Sequence, residues 1–341
     1  MPRVMIPLAV LAAAGLFLLL PSARADGLDG PLCGSYSGLP EGESSQAGMV
    51  RIRGGTFTMG DEREWPEERP TRRVTVGGFW IDRHEVTNAQ FARFVAATGY
   101  RTTAERGVDA AQRPDLPPEL LAPGSMVFDG SGESGPAWLF RPGASWRRPS
   151  GSGSSIEGLD NRPVVQVAHE DALAYAHWLG RDLPTEAEWE FAARGGLDGT
   201  TYAWGNDYYD PASGWQANSW QGSFPGRDEA LDGFHGLAPV GCFPPNGYGL
   251  LDMTGNVWEY VRDWYVSGHP RAAQYDPTGP DLALATRFAG PEGPPVVTKG
   301  GSWLCAPTFC ARYRPSARQP QELGLGTNHV GFRTVLRDGK R

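Results

Sequence analysis

The chain has 341 residues, and its 46 glycines and 30 prolines loosen or interrupt regular backbone at many positions. Disorder and a collagen-like fibre are both excluded, because 40% of the residues are hydrophobic, 12 are tryptophans and the glycines have no three-residue period. The formal net charge of −8 argues against nucleic acid or an anionic lipid surface as a partner. The composition therefore indicates an ordered protein with many structured loops.

The first 25 residues have the pattern of a secretory signal peptide. Arg3 gives a positive start, residues 4–20 are almost all apolar, and residues 23–25 form an A-x-A cleavage site. The alternative is a membrane anchor, but the apolar run is short for a span and contains a proline and a glycine. We therefore expect cleavage and export to a periplasm, the secretory-pathway lumen or the cell exterior, with no stable membrane insertion.

Residues 26–48 are rich in Gly, Ser and Glu and are interpreted as a flexible leader. Ordered sequence is predicted to begin at Met49, and because no polar linker divides residues 49–341, we predict a single domain there. Short strands are predicted at residues 50–53, 57–59, 73–76 and 79–81, separated by Gly-Gly pairs and a charged loop.

Three helices follow the predicted strands. Thr87 and Gln90 form a capping box ahead of the first helix, and Thr185 and Glu188 form another ahead of the third. A second helix is predicted over residues 170–179, where apolar residues recur at helical spacing. A glycine follows each helix and predicts its end.

After residue 196, the sequence has almost no periodic pattern for more than a hundred residues. So long a stretch without regular structure is unusual inside a compact domain, unless its loops are functional or something holds them in place. The sequence therefore predicts a loop-rich protein with little helix and strand, whose loops are functional or are held in place.

Two clusters in this region offer oxygen ligands of the kind that calcium requires. The first combines Asn218 and Ser219 with the segment 232–234, and the second is the segment 252–259. Carboxylates, amides and backbone carbonyls at alternating positions allow a loop to wrap around a hard cation. The alternative is plain turn formation, since Asp, Asn and Gly are common in turns.

The four cysteines are too few for a disulfide scaffold. Cys33 and Cys242 have no assigned role, so they either pair or stay free. Cys305 and Cys310 lie five residues apart, and Pro307 between them allows a bend that brings the sulfurs together. Spacing favours a short structural disulfide; the alternatives are a redox dithiol and a two-coordinate Cu(I) site, whereas zinc usually needs four ligands.

The sequence resembles the formylglycine-generating enzymes, also called sulfatase-modifying factors, over residues 49–335. The motifs that carry the resemblance are GGTFTMG at 54–60, EVTN at 85–88, ASWRRP at 144–149, LPTEAEWE at 183–190, PPNGYGL at 244–250, GNVWE at 255–259, KGGS at 299–302 and GFR at 331–333. Several of them also mark the wider superfamily, which includes non-catalytic and iron-dependent members. The cysteine pair that follows KGGS is the feature similar to the oxidases themselves.

The resemblance implies a single irregular α+β domain of C-type-lectin-like topology, held by two structural calcium ions. The implied ligands of the first ion are Asn218, the Ser219 carbonyl, Asp232 and the Phe234 carbonyl. Those of the second are Asp252, the Gly255 carbonyl, the Val257 carbonyl and Glu259. Both sets coincide with the clusters found from spacing, which favours calcium over plain turns.

The resemblance also implies an oxidoreductase that uses O₂ to convert a cysteine of an unfolded sulfatase polypeptide, in a Cys-x-Pro-x-Arg motif, to Cα-formylglycine. Cys305 and Cys310 would hold Cu(I) and leave room for the substrate thiolate, with Ser302 and Trp258 lining the same pocket. Asp109 and Glu105 are candidate partners for the substrate arginine, although an ordinary solvated surface is the alternative for both.

The competing hypothesis is a non-catalytic module that binds peptide or glycan on the same scaffold. An iron-dependent sulfoxide synthase is disfavoured, because the chain has no H-x-x-x-H-x-E motif. We expect a monomer with no nucleic-acid partner.

Overall fold

The computed structural model describes residues 32–111, 113–130, 137–209, 211–290 and 293–338. The predicted signal peptide, residues 1–25, lies outside this part of the chain. The described residues form one compact unit, with about 17% helix and 23% strand. The prediction of a single α+β domain with little regular secondary structure is confirmed.

The regular elements are short and are spread along the chain. The helices are α1 (Asn88–Thr98), α2 (Thr103–Arg106), α3 (Pro118–Leu121), α4 (His169–Trp178), α5 (Glu186–Arg194) and α6 (Leu282–Thr286), with 3₁₀ turns at Cys33–Ser35 and Pro66–Glu68. The strands are β1 (Met49–Ile52), β2 (Gly55–Met59), β3 (Arg72–Val76), β4 (Phe79–Asp82), β5 (Gly124–Asp129), β6 (Ala137–Pro142), β7 (Gly222–Ser223), β8 (Arg227–Asp228), β9 (Trp258–Trp264), β10 (Gln274–Tyr275), β11 (Val296–Lys299), β12 (Arg318–Gln321), β13 (Val330–Phe332) and β14 (Val335–Arg337). Within the described ranges, no helix has the length and apolar character needed to cross a bilayer.

Local capping sets the ends of two of the long helices. At α1, the Gln90 backbone N–H donates to the Thr87 hydroxyl at 3.2 Å, and the Gln90 side-chain oxygen accepts the Thr87 N–H at 2.9 Å. Thr185 and Glu188 repeat this arrangement at α5, and both helices end at a glycine in the left-handed region. The capping boxes predicted from the sequence are confirmed.

The central sheet has the strand order β12–β11–β9–β13, with β9 antiparallel to β11 and parallel to β13. The sequence pattern misses β9, because its buried positions include the acids Glu259 and Asp263, so apolar and polar residues do not alternate along it. Two three-stranded sheets, β1–β4–β14 and β10–β3–β2, and the hairpins β5–β6 and β7–β8 complete the strand pairing of the described residues.

An aromatic core fills the space between α1, α4 and β13. The Phe91 ring lies 5.2 Å from Trp146 and 5.9 Å from Tyr175, and Tyr175 lies 5.4 Å from Phe332. Cys305 is part of the same buried cluster. The cysteine predicted to be reactive is therefore part of the close-packed core of the domain.

Residues 32–48 are attached to the domain, whereas 26–48 are predicted to form a flexible leader. A disulfide joins Cys33 to Cys242, 209 residues further along the chain. The Arg181 guanidinium donates to two backbone carbonyls of the segment at 2.9 and 3.1 Å. The domain therefore includes residues 32–48 and begins before the predicted boundary. This result also settles the open question of Cys33 and Cys242, which pair with each other.

Candidate active site and calcium-ligand clusters

A turn after β11 brings together the two cysteines predicted to form the reactive pair. Pro307 lies in this turn, and the Cys310 N–H donates to the Ala306 carbonyl at 2.9 Å. The sulfurs of Cys305 and Cys310 are 3.3 Å apart and are not bonded. The predicted bend is confirmed, whereas the short disulfide favoured by spacing is not formed.

The two thiols have different environments. Cys305 is fully buried and Cys310 is half-buried. Burial raises the pKa of Cys305, whereas a hydrogen bond from Cys305 lowers the pKa of Cys310, with a smaller contribution from the positive charge of Arg312. These directions favour a Cys305 thiol that donates to a more readily ionised Cys310.

Two glycines allow the backbone to pack closely behind the cysteine pair. Gly300 and Gly301 have φ angles of 91° and 77°, in the region that side chains rarely adopt. A Cβ on Gly301 would lie 2.5 Å from the Arg312 carbonyl oxygen, and one on Gly300 would lie 2.8 Å from the Trp189 ring. Gly301 therefore lets the two segments that flank the cysteine turn pack together, and Gly300 lets the backbone pack against α5.

A cavity of about 490 Å³ opens beside the cysteine pair. Its walls come from the β5–β6 hairpin, the start of β9, the cysteine turn, β12 and the segment before β13. Cys305, Cys310, Ser302 and Trp258 all belong to its lining, so the structure brings the four predicted site residues together. A cavity of this size is typical of a ligand-binding site.

Backbone contacts fix Ser302 and Trp258 in this cavity. The Ser302 hydroxyl accepts the Leu304 N–H at 3.3 Å, and the Ser302 carbonyl accepts the Cys305 N–H at 2.9 Å. Trp258 begins β9, and its N–H donates to the His329 carbonyl at 2.9 Å. Ser302 is thus part of the cysteine turn, while Trp258 is held by the central sheet.

The cavity also contains aromatic residues that the sequence analysis misses. The Trp138 ring lies 5.6 Å from Phe128 and 4.7 Å from His329, and Phe224 stacks on Phe309 at 4.4 Å. Burial lowers the pKa of His329 to about 3, so its imidazole is neutral near pH 7. Runs of aromatic and apolar residues in β5 and β6 are the sequence signal that could have predicted this hairpin.

Glu105 and Asp109, the candidate partners of a substrate arginine, are not among the residues that line the cavity. The Glu105 carboxylate accepts the Thr102 N–H at 2.9 Å and lies 3.8 Å from Arg147. Asp109 accepts the Ala111 N–H at 2.9 Å. Local structure uses both carboxylates, and their role in binding substrate stays a prediction.

An acidic 3₁₀ turn, Pro66–Glu68, holds two arginines close to the cysteine turn. The Arg314 guanidinium binds the buried Glu68 carboxylate at 2.6 and 2.7 Å. Arg312 pairs with Glu67 at 2.5 Å. Both arginines lie close enough to lower the pKa of Cys310, so this turn keeps positive charge near the thiols.

Three residues of the first predicted calcium set, Ser219, Asp232 and Phe234, lie together in the structure, while the Asn218 side chain bonds Gly236 and Asn256. The Asp232 carboxylate accepts the N–H groups of Ser219 and Phe234, both at 3.0 Å. The Gln221 side-chain amide donates to Asp232 at 2.7 Å and also to the Ser219 carbonyl. A carboxylate and a backbone carbonyl therefore surround the Gln221 amide. Such oxygens are the ligands that a hard cation binds.

The two predicted calcium sets adjoin each other. The Asn218 carbonyl accepts the Asn256 N–H at 2.9 Å. Gly255 has a φ angle of 79°, and a Cβ there would lie 2.4 Å from the Asn218 carbonyl oxygen. The glycine is therefore required for the close approach of the two loops.

The second set is buried around Arg333. The Glu259 carboxylate accepts two hydrogen bonds from Arg333, both at 2.7 Å, and one from Trp189 at 2.8 Å. Asp252 accepts the Gly241 N–H at 2.5 Å, and burial raises the pKa of Asp252 to about 6. A cation at this set would therefore share Glu259 with Arg333.

Glu85 adds a third buried carboxylate to the second set. Its Oε1 accepts a hydrogen bond from Asn256 at 3.1 Å, while Oε2 has no partner in the described part of the chain. The three acids face a single arginine, and burial together with the nearby Asp252 raises the pKa of Glu85, so a divalent cation here would favour the ionised form of that carboxyl. Among the described residues, no three His, Cys, Asp or Glu side chains form a metal site by themselves. A cation here would therefore also need the carbonyls of Gly255 and Val257.

Comparison with known proteins identifies the family of the chain. The sequence matches the sulfatase-modifying factor enzyme 1-like domain (FGE-sulfatase) over residues 37–338. It is 48% identical to the formylglycine-generating enzyme of Mycobacterium tuberculosis, covering 84% of this chain and 97% of that protein. It is 39% identical to the inactive C-alpha-formylglycine-generating enzyme 2 of Mus musculus, covering 88% and 89%. PvdO from Pseudomonas aeruginosa has the same fold, with a TM-score of 0.54, 23% identity and coverage of 89% and 99%. The chain therefore belongs to the sulfatase-modifying factor family.

Proposed function

We propose that this protein is an oxidoreductase that matures sulfatases by converting one of their cysteines to Cα-formylglycine. The observation that carries the proposal is the unbonded pair Cys305 and Cys310, whose sulfurs lie 3.3 Å apart in the wall of a cavity. A relative named formylglycine-generating enzyme at 48% identity supports it. We include in the proposal an unfolded sulfatase polypeptide with a Cys-x-Pro-x-Arg motif as the substrate and O₂ as the co-substrate.

The proposed cofactor is Cu(I), held by Cys305 and Cys310. Two adjacent sulfurs suit this ion, because soft thiolate ligands select Cu(I) over harder metals. Cys310 is half-buried and lines the cavity, which leaves a side on which a third sulfur, that of the substrate, can approach. When bound, the copper ion supplies redox chemistry with O₂.

The chain's own residues position the substrate and exclude water. The aromatic walls at Phe128, Trp138 and Trp258 provide apolar contact for an extended peptide. The buried Ser302 hydroxyl and the neutral His329 ring supply hydrogen-bonding groups that do not change charge near pH 7. Substrate binding therefore depends on shape and hydrogen bonds close to the thiols.

The proposed activity can be tested by conversion of a model peptide. Copper-loaded protein is incubated in air with a peptide that contains Cys-x-Pro-x-Arg, and the peptide is analysed by mass spectrometry. We expect its cysteine to lose about 18 Da, because a CH₂–SH group becomes an aldehyde. An unchanged mass with copper bound would contradict the proposal.

The alternative is a non-catalytic module that binds peptide or glycan. A relative named inactive at 39% identity shows that membership of the family does not by itself establish activity. The neighbouring free thiols favour the enzyme, since a binding module needs no reactive sulfur. Stoichiometric uptake of Cu(I) under reducing conditions would separate the two, because the module has no requirement for it.

We also propose that the protein is exported and monomeric.

We propose further that two calcium ions hold the loops of the two ligand sets in place. Removal of Ca²⁺ with EGTA is then expected to lower Tm, since binding stabilises the folded state by about 2.7 kcal/mol at 100 times Kd. Asp232→Asn should reduce this shift, whereas Asp207→Asn, on an exposed part of the same region, should keep it. An equal shift in both variants would rule out the first ligand set.

A further inference from the structure

β12, one of the two outer strands of the central sheet, lies at the cavity. β12 pairs with β11 on one side only, and within the described residues no strand pairs with its other edge. Residues 319–322, four in succession, line the same cavity as Cys305 and Cys310. Because side chains of successive strand residues point to opposite faces, a lining by consecutive residues indicates that the edge of β12 itself borders the cavity.

We propose that the substrate polypeptide binds as an extended strand that adds to the outer edge of β12, where, among the described residues, only the Arg312 side chain contacts the Arg318 carbonyl, at 3.5 Å. This inference rests on the proposed function, because it concerns how the sulfatase segment reaches the thiols. Strand addition to an exposed sheet edge is a common mode of peptide recognition, in which main-chain hydrogen bonds give affinity and alternate side chains give specificity. An unfolded segment has the free N–H and C=O groups that this mode requires.

Pro320, in the middle of β12, limits what the edge can bind. It pairs with Val297 of β11 and is exposed. Prolines in sheets occur on edge strands, where the missing N–H faces outward. The outward-facing group at Pro320 is then a carbonyl, which accepts an N–H from the added strand. Pro320 therefore offers an added strand an acceptor but no donor.

The proposed substrate motif has the period of a strand. In Cys-x-Pro-x-Arg, the specified residues occupy alternate positions, so in an extended chain their side chains share one face. The proline of the motif has no N–H. The three specified residues, which alternate along the strand, therefore cannot supply a complete set of main-chain hydrogen bonds to β12. The two unspecified residues must therefore direct their N–H and C=O groups toward β12 while their side chains point away from the specified face.

Peptides with single amide-to-ester replacements test this register, since an ester removes one N–H at little cost in shape. Binding to the full protein is measured by fluorescence anisotropy, with a peptide in which serine replaces the reactive cysteine, and KM is measured with the cysteine peptide. We expect an ester at either unspecified residue to weaken binding by about five-fold, the cost of one hydrogen bond. The matched control is an ester at the arginine N–H, which should leave Kd and KM unchanged.

The two proposals fail separately in this experiment. If all three esters bind alike, the added strand is wrong, whether or not the parent peptide is converted. If the alternating pattern is found but the parent cysteine peptide is not converted, the strand addition stands and the proposed function fails. Conversion of the parent together with the alternating pattern would support both.

Discussion

Replacing either Cys305 or Cys310 with Ser is expected to abolish conversion of the peptide while leaving the fold intact. Serine is close to cysteine in size, so the packing of the buried turn changes little. It removes one of two sulfurs that lie 3.3 Å apart, and a serine hydroxyl does not replace a thiolate as a soft ligand. Removal of a residue that only supports a metal ligand typically costs about 10- to 100-fold in metal affinity or activity. Loss of a ligand itself should cost more, so we expect the rate of conversion to fall by about 100-fold or more.

Product formation and Cu(I) uptake should be measured together in these variants, with circular dichroism to confirm folding. The control is the double variant Cys33→Ser, Cys242→Ser, which removes two sulfurs outside the cavity and keeps the reactive pair. It should retain activity at temperatures where it is folded. Unimpaired turnover by Cys305→Ser or Cys310→Ser would refute the assignment of these cysteines to the active site.

Replacing Lys299 with Met is expected to lower the free energy of unfolding by about 3–5 kcal/mol. Lys299 is completely buried, and its ammonium group lies 3.0 Å from Glu190 and 3.5 Å from Glu186. Methionine has a similar length but no charge, so these buried carboxylates lose a shared cation. Chemical denaturation followed by tryptophan fluorescence measures the difference.

Arg141→Met is the control for Lys299, since Arg141 and Asp129 form a partly exposed ion pair. Such a pair contributes about 1 kcal/mol or less. If Lys299→Met is no more destabilising than Arg141→Met, the buried charge cluster does not have the structural role that we assign to it.

The effect of Lys299 should depend on pH. Burial alone would raise the pKa of Glu190, but the charges of Lys299 and Arg194 hold it below its usual value. A carboxyl with a lowered pKa in the folded state contributes stability above its unfolded pKa, about 4.3, and loses it as the pH falls toward the folded value. The difference in stability between the wild type and Lys299→Met is therefore expected to shrink below about pH 4.

The parts of the fold that depend on neighbouring residues could be predicted from the sequence. Thr87 with Gln90, and Thr185 with Glu188, set the helix starts through contacts only three residues apart. The bend at Pro307 is equally local, and it brings the sulfurs of the reactive pair together. Such interactions are encoded within one turn of chain, so a pattern in the sequence is sufficient to find them.

The parts that depend on distant residues could not be predicted from pattern alone. Strand β9 contains Glu259, whose charge is neutralised by Arg333, 74 residues away. Trp138 forms a wall of the cavity only because the fold brings the segment before β13 and the cysteine turn next to it. The disulfide between Cys33 and Cys242 is also long-range, since it joins residues 209 apart, and the sequence alone allows three pairings of the four cysteines. In each case the deciding contact joins segments that are far apart in the chain.

The chain contains one bonded and one unbonded cysteine pair, so a single redox environment must suit both. Cys33 and Cys242 are joined, whereas Cys305 and Cys310 lie side by side as thiols. A reductant strong enough to open the first pair releases the segment 32–48 from its covalent tie, while an oxidant strong enough to join the second removes the reactive thiols. Stability and activity will therefore respond in opposite directions as the thiol–disulfide potential of the solution changes.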